Sequence, residues 1–115
     1  MNPTPTSHRF RTYDLCLEAL RLIRAPLAAI RVAAPGLADQ LQRAATSAAL
    51  NLAEGAKRRG RDQAHYYRVA AGSAAEARAC LDIAAALGHA DPAELAPAWA
   101  ALDSVVAMIW RLTHR

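Results

Sequence analysis

The sequence predicts an all-α protein: an antiparallel up-down-up-down four-helix bundle, assembled as a cyclic homo-oligomer. Three observations lead there. Thirty of the 115 residues are alanine and fourteen are leucine, against four valines, four isoleucines and one phenylalanine. That composition favours helices, whereas sheets want β-branched and aromatic side chains. Apolar residues recur every three or four positions through four segments, the period of a helix face. Finally, the segments are separated by short Pro- and Gly-marked breaks, and helices joined by short connections pack as antiparallel neighbours.

Residues 1–10 read as a flexible polar tail and 11–115 as one domain. The first helix runs from about Arg11 to Ala34, with Tyr13, Leu17, Leu20, Ile23, Leu27 and Ile30 in one stripe. Leu15, Ala19, Leu22 and Ala29 form a second stripe. Pro26 should kink this helix, and Pro35-Gly36 should stop it. The second helix runs from about Leu37 to Arg59, with Leu37, Leu41, Ala45, Ala48 and Leu52 facing inward. Its polar stripe places Glu54 four residues before Arg58, the favourable order for an ion pair. Gly60 reads as its stop.

Asp62 reads as the cap of a third helix that reaches about Leu87, with Tyr66, Val69, Ser73, Cys80, Ile83 and Leu87 as inward positions. Gly72-Ser73-Ala74-Ala75 is a run of small residues in its middle. Glycine there costs about 1 kcal/mol of helix propensity against alanine. A close helix–helix approach would offset that cost. Asp91, Pro92 and Glu94 suit a helix start. Pro97 predicts a short turn over 92–95, with the fourth helix proper from Ala96 to Leu112. Trp99, Leu102, Val106, Ile109 and Thr113 form its stripe, with Val105, Trp110 and Leu112 beside it. The first and fourth helices carry more than the roughly 100° apolar face that a simple bundle needs. The excess points to self-association.

No apolar run approaches the ~18 residues of a membrane-spanning helix, so no membrane partner is expected. The N-terminal residues lack the apolar core of a signal peptide. Cys16 and Cys80 lack metal-ligand spacing and read as buried thiols in a reducing cytoplasm.

The net charge is +4, with thirteen arginines and one lysine. Its distribution is uneven. Residues 55–68 carry Lys57, Arg58, Arg59, Arg61 and Arg68 against Asp62, and residues 69–103 carry Arg78 against five acids. Arginine binds phosphate bidentately.

Enzyme templates fail: the sequence contains no Gly-rich phosphate loop and no His-Glu-x-x-His or Glu-x-x-His pair. The four histidines fall at the tail and at helix ends. Glu54 and Glu76 are set among small residues and could form an acid/base pair, but structural pairing with arginine, Asn51 or Ser73 explains them better. The sequence therefore predicts no catalytic residue, no metal and no cofactor.

The segment 57–68 is the one constellation with chemistry. Clustered cations followed by His65, Tyr66 and Tyr67 suit phosphate contact and base stacking. Of the two tyrosines, Tyr66 is expected in the core. The candidate nucleic-acid-binding residues are Lys57, Arg58, Arg59, Arg61 and Arg68, with Arg43 as an extension.

Gln40-Leu41-Gln42-Arg43-Ala44-Ala45-Thr46-Ser47, leading into Asn51-Leu52-Ala53-Glu54-Gly55, is followed by Tyr66-Tyr67 and by Ala70-Ala71-Gly72-Ser73-Ala74-Ala75-Glu76. This pair of motifs resembles the small bacterial four-helix-bundle family encoded within intervening sequences of 23S ribosomal RNA genes, also labelled S23 ribosomal protein. The resemblance covers Tyr13 to Gly88. It departs at Ala48-Ala49, where the family often has proline, and at Gly60, where it often has a Ser or Thr cap. It implies a four-helix bundle and a homopentamer around a central channel. Asn51, Glu54, Gly55, Gly72, Ser73 and Glu76 are its matching motif residues, read as structural. A structurally similar group, the accessory variability proteins of diversity-generating retroelements, forms pentameric barrels that bind nucleic acid and a reverse transcriptase. By fold-level analogy, RNA or DNA and a reverse transcriptase become expected partners.

The sequence thus leads to a non-enzymatic, cytoplasmic bundle that forms a ring and binds nucleic acid non-specifically. The alternative is a protein–protein scaffold that binds no nucleic acid and uses the acidic 69–103 stretch and the wide apolar faces.

Overall fold

The computed structural model describes residues 10–114. It is an all-α four-helix bundle: α1 (Arg11–Ala33), α2 (Pro35–Ala56), α3 (Gly60–Ala86) and α4 (Pro92–Thr113). The tail expected over residues 1–10 lies outside the described residues except for Phe10. The ring of Phe10 meets that of Tyr67 at 5.4 Å and ties the start of α1 to α3. Around the bundle α1 packs on α2 and α4, and α3 packs on α2 and α4. One end therefore holds the starts of α1 and α3 and the finishes of α2 and α4.

The break between α1 and α2 is a single residue, Ala34. Pro35 does not merely stop α1. It occupies the first turn of α2, where its missing N–H would have had no partner in any case. Arg31 straddles the corner, donating to Asp39 at 2.7 Å and to Gln42 at 2.8 Å. Of the expected α2 stripe, Leu41, Ala45, Ala48 and Leu52 are buried, and Leu37 at its start is half-buried. The helix ends three residues earlier than expected, leaving Lys57, Arg58 and Arg59 as a connection.

The inward face of α3 differs from expectation. Tyr67, Ala70, Ala74, Ala77, Cys80, Leu81 and Ala84 are buried. Val69, Ile83 and Leu87 are exposed, and Tyr66 is only half-buried. Tyr67 and Leu81 are the large residues that α3 buries; Val69, Ile83 and Leu87 point outward, and alanines fill most of the remaining inward positions of α2 and α3. Alanine brings helix backbones close together, and a bulkier residue there would part them.

Helix α4 starts at Pro92, with the Asp91 carboxylate accepting from the Ala93 N–H at 3.0 Å. The expected break at Pro97 does not occur. Pro97 lies exposed within a continuous helix, where water can reach the carbonyl it leaves without a donor. By length and composition α4 is apolar enough to cross a membrane. Here Leu95, Ala98, Leu102, Val105 and Ile109 are buried in the bundle core.

Cys16 and Cys80 are free, buried thiols. Burial pushes the Cys16 thiol up to about 11. The Cys80 thiol is also raised, first by burial and then by the nearby Glu76 charge.

Candidate nucleic-acid interface

The corner between α2 and α3 is built by a side chain that sequence reasoning passed over. Gln63 Nε2 donates to the carbonyls of Gly55 at 3.1 Å, which also accepts from the Arg58 N–H at 3.0 Å, and of Arg58 at 2.9 Å, tying α3 to the end of α2. Gly60 turns the chain with φ of +57°, a conformation glycine adopts without strain. Asp62 does not cap α3. The helix has Arg59 at its N-cap position with no side-chain cap, and Asp62 lies inside the first turn.

Arg58 takes up both carboxylates of the corner. Its guanidinium donates to Glu54 at 2.8 and 3.0 Å and to Asp62 at 3.1 Å, and it covers the Tyr66 ring at 5.1 Å. The hydrogen bond to Glu54 is the largest cause of its raised pKa. Lys57, Arg59 and Arg61 are exposed and have no carboxylate partner among the described residues. Arg58 with Glu54 and Asp62 carries one net negative charge, and the three unpaired cations Lys57, Arg59 and Arg61 keep the corner positive.

The six candidate cations do not form one patch. Arg43 lies fourteen residues before Lys57 on α2, about 21 Å along the helix. It lines an open depression with Asp39, Thr46 and Leu50. Arg68 opens onto a cleft between α3 and α4, beside Trp110 and His114. The topology adds two cations that are remote in sequence: Arg11 at the start of α1 and Arg111 in the last turn of α4, both exposed. That end of the bundle gathers Arg11, Lys57, Arg58, Arg59, Arg61 and Arg111 against Asp14, Glu54 and Asp62, and is net cationic, while Arg43 lies outside it. Of the tyrosines, Tyr67 is the buried one, so Tyr66 is the ring within reach of the surface, beneath Arg58.

The motif residues tie α2 to α3. Asn51 Nδ2 donates to the Ser47 carbonyl at 2.9 Å and to Ser47 Oγ at 3.2 Å. Ser47 Oγ in turn lies 2.9 Å from Ser73 Oγ on α3. Gly55 permits the closest approach: a Cβ there would sit 2.6 Å from Tyr67 Cε1. Gly72, expected at such an approach, has open space around it within the subunit and is exposed. With Ser47 level with Ser73, Glu54 and Glu76 stand about ten residues of rise apart, roughly 15 Å, and do not face one another. Among the described residues no cluster of three or more His, Cys, Asp or Glu could hold a metal.

Two of the five acids in the acidic stretch are paired, both with Arg78, and Glu76, Asp91 and Glu94 have no ion-pair partner among the described residues. Arg78 donates to Asp103 at 2.7 Å and to Asp82 at 2.6 Å, and lies 5.5 Å from the Trp99 ring, joining α3 to α4. Asp91 is spent as the α4 cap.

These features define a small all-α bundle with one cationic end. The chain belongs to the 23S rRNA-intervening sequence protein family, whose model matches residues 12–111. A crystal structure of a protein of unknown function from the S23 ribosomal protein family of Bacteroides thetaiotaomicron VPI-5482 has the same fold, with a TM-score of 0.80 at 16% identity. The match covers 90% of this chain and 99% of that one. No curated protein matches the chain.

Proposed function

We propose that the protein is a non-enzymatic bundle that assembles into a homopentameric ring and binds nucleic acid without sequence specificity through its cationic end. The observation that carries the binding is the unpaired set Lys57, Arg59 and Arg61 beside an Arg58 whose charge is taken up by Glu54 and Asp62. No helix offers base-reading side chains, so the contacts go to phosphates, which position without specifying. Assembly is supported by the outer side of α2 and α3, where Leu50, Val69, Ile83 and Leu87 are exposed and Gly72 is bare. The resemblance to the family implies five copies. Repetition around a ring makes weak single contacts useful together.

Fluorescence anisotropy with labelled single-stranded and duplex oligonucleotides tests the binding. Affinity should fall with salt by a slope of roughly 0.7–0.9 per phosphate contacted. Changing Lys57, Arg59 and Arg61 together to Glu should abolish binding while sedimentation shows unchanged mass. No binding at about 50 mM salt, where phosphate contacts are strong, would overturn the reading. It would favour the protein–protein scaffold, for which the exposed α2–α3 face is the supporting feature. A stable 12.3 kDa monomer would overturn the ring.

A further inference from the structure

The cleft between α3 and α4 at the cationic end has one charged wall and one aromatic wall. Arg68 stands on the α3 side, seven residues after Arg61 and so on the same helix face, about 10 Å further along. Trp110 and His114 stand on the α4 side, over a floor that includes Val106 and Ile109. The cleft is about 280 Å³. Trp110 is 59% exposed, whereas Trp99, the other tryptophan of α4, is half-buried, and the Trp110 ring is held flat against His114 at 4.2 Å with 9° between the planes. His114 Nδ1 lies 2.9 Å from the Trp110 carbonyl and 3.1 Å from Thr113 Oγ1. Neither Arg61 nor Arg68 has a carboxylate partner among the described residues.

We propose that this cleft is a stacking site for an unpaired base of single-stranded nucleic acid, with the base on Trp110 and the neighbouring phosphates on Arg68 and Arg61. The inference rests on the nucleic-acid reading above and narrows it to one class of strand. An exposed flat ring beside an unpaired cation matches the two things a single strand offers, a π-face and a phosphate. A duplex keeps its π-faces stacked inside and offers only the phosphate. The occupant is thus selected by charge together with ring geometry, a combination that an apolar partner helix would leave unused.

The test uses the full chain carrying Trp99→Phe, so that Trp110 is the sole source of indole fluorescence. Short oligothymidylate should quench that emission on binding, and a duplex of equal charge should not. Trp110→Ala should weaken oligothymidylate binding by roughly 5- to 150-fold, with the salt slope and duplex affinity unchanged. Trp110→Phe, which retains a ring, should keep most of the affinity. Equal losses for single strand and duplex, or no loss for either, would overturn the stacking site while leaving phosphate binding in place. A fall in assembled mass on Trp110→Ala would also overturn it, because Trp110 would then be a contact between copies. Absence of any binding by the parent chain would remove both readings, and anisotropy on the unsubstituted chain detects that outcome separately.

Discussion

The ring of Tyr67 lies against the bare Cα of Gly55, so close that a Cβ would stand 2.6 Å from Cε1 and 3.1 Å from the Cβ of Tyr66. The ring cannot swing away cheaply, since it is buried and braced by Phe10. Gly55→Ala should therefore lower stability. Overpacking costs about 1–3 kcal/mol, and the gain in helix propensity returns about 1. Thermal melts should show a net loss, and a double-mutant cycle with Tyr67→Leu should show coupling, because the smaller side chain accepts the added methyl.

Gly72 makes the opposite case. With nothing near it inside the subunit, Gly72→Leu should leave the helical content intact and raise the stability of the single bundle by roughly 0.5–1 kcal/mol. If copies meet over this face, the same substitution should reduce the sedimenting mass. Unchanged mass would place the contact between copies elsewhere.

Arg58 and Arg59 are neighbours with different work. Arg58→Ala removes the bonds to Glu54 and Asp62 and the cover over Tyr66, so it should lower the melting temperature. Its effect on the salt dependence of oligonucleotide binding should be slight. Arg59→Ala should leave the melting temperature unchanged and reduce the salt slope by about 0.7–0.9.

The buried Cys16 thiol gives a pH signature. Its pKa is raised to about 11 in the folded chain against 9.0 for an unperturbed thiol. The unfolded chain thus loses this proton first as pH rises. The stabilisation is complete below pH 9 and is lost between about 9 and 11, amounting to roughly 3 kcal/mol at most. Chemical denaturation across that window should show a steeper decline for the parent than for Cys16→Ala. Alkylation of Cys16 in the folded protein should be slow at neutral pH, because the thiolate is the reactive form.

The four helices were legible because each carries its apolar residues at helix spacing and is bounded by Pro or Gly. The registers of α1 and α3 were not: α1 buries Thr12, Cys16, Ala19 and Pro26 with Ile23 and Ile30, and leaves Tyr13, Leu17, Leu20 and Leu27 half-buried. Pattern reading gives weight to Val69, Ile83 and Leu87, whereas a close α2–α3 seam buries Ala70, Ala74, Ala77 and Ala84, which look neutral in a sequence. Pro97 misled for a related reason: local propensity disfavours it, but an exposed proline near the start of a helix leaves no buried acceptor unsatisfied. The corner at 57–61 was visible since its charges are contiguous. The pairing of Arg58 with Glu54 followed from i,i+4 spacing, but the further bond to Asp62 depends on how the chain turns at Gly60. Arg11, Arg111 and Trp110 join that end only through the topology, and no local pattern marks them.

The alternation of helix directions has an electrical consequence. At the cationic end two helix N-termini stand beside two C-termini, so the positive and negative partial charges of the four backbones offset one another. The potential there is set by side chains alone and is open to tuning by single substitutions. At the opposite end, where the backbones cancel in the same way, Arg31 is paired with Asp39, while Asp91 and Glu94 begin α4. The bundle thus has a cationic head and a mildly acidic foot, and the field of a polyanion in solution favours approach of the head first.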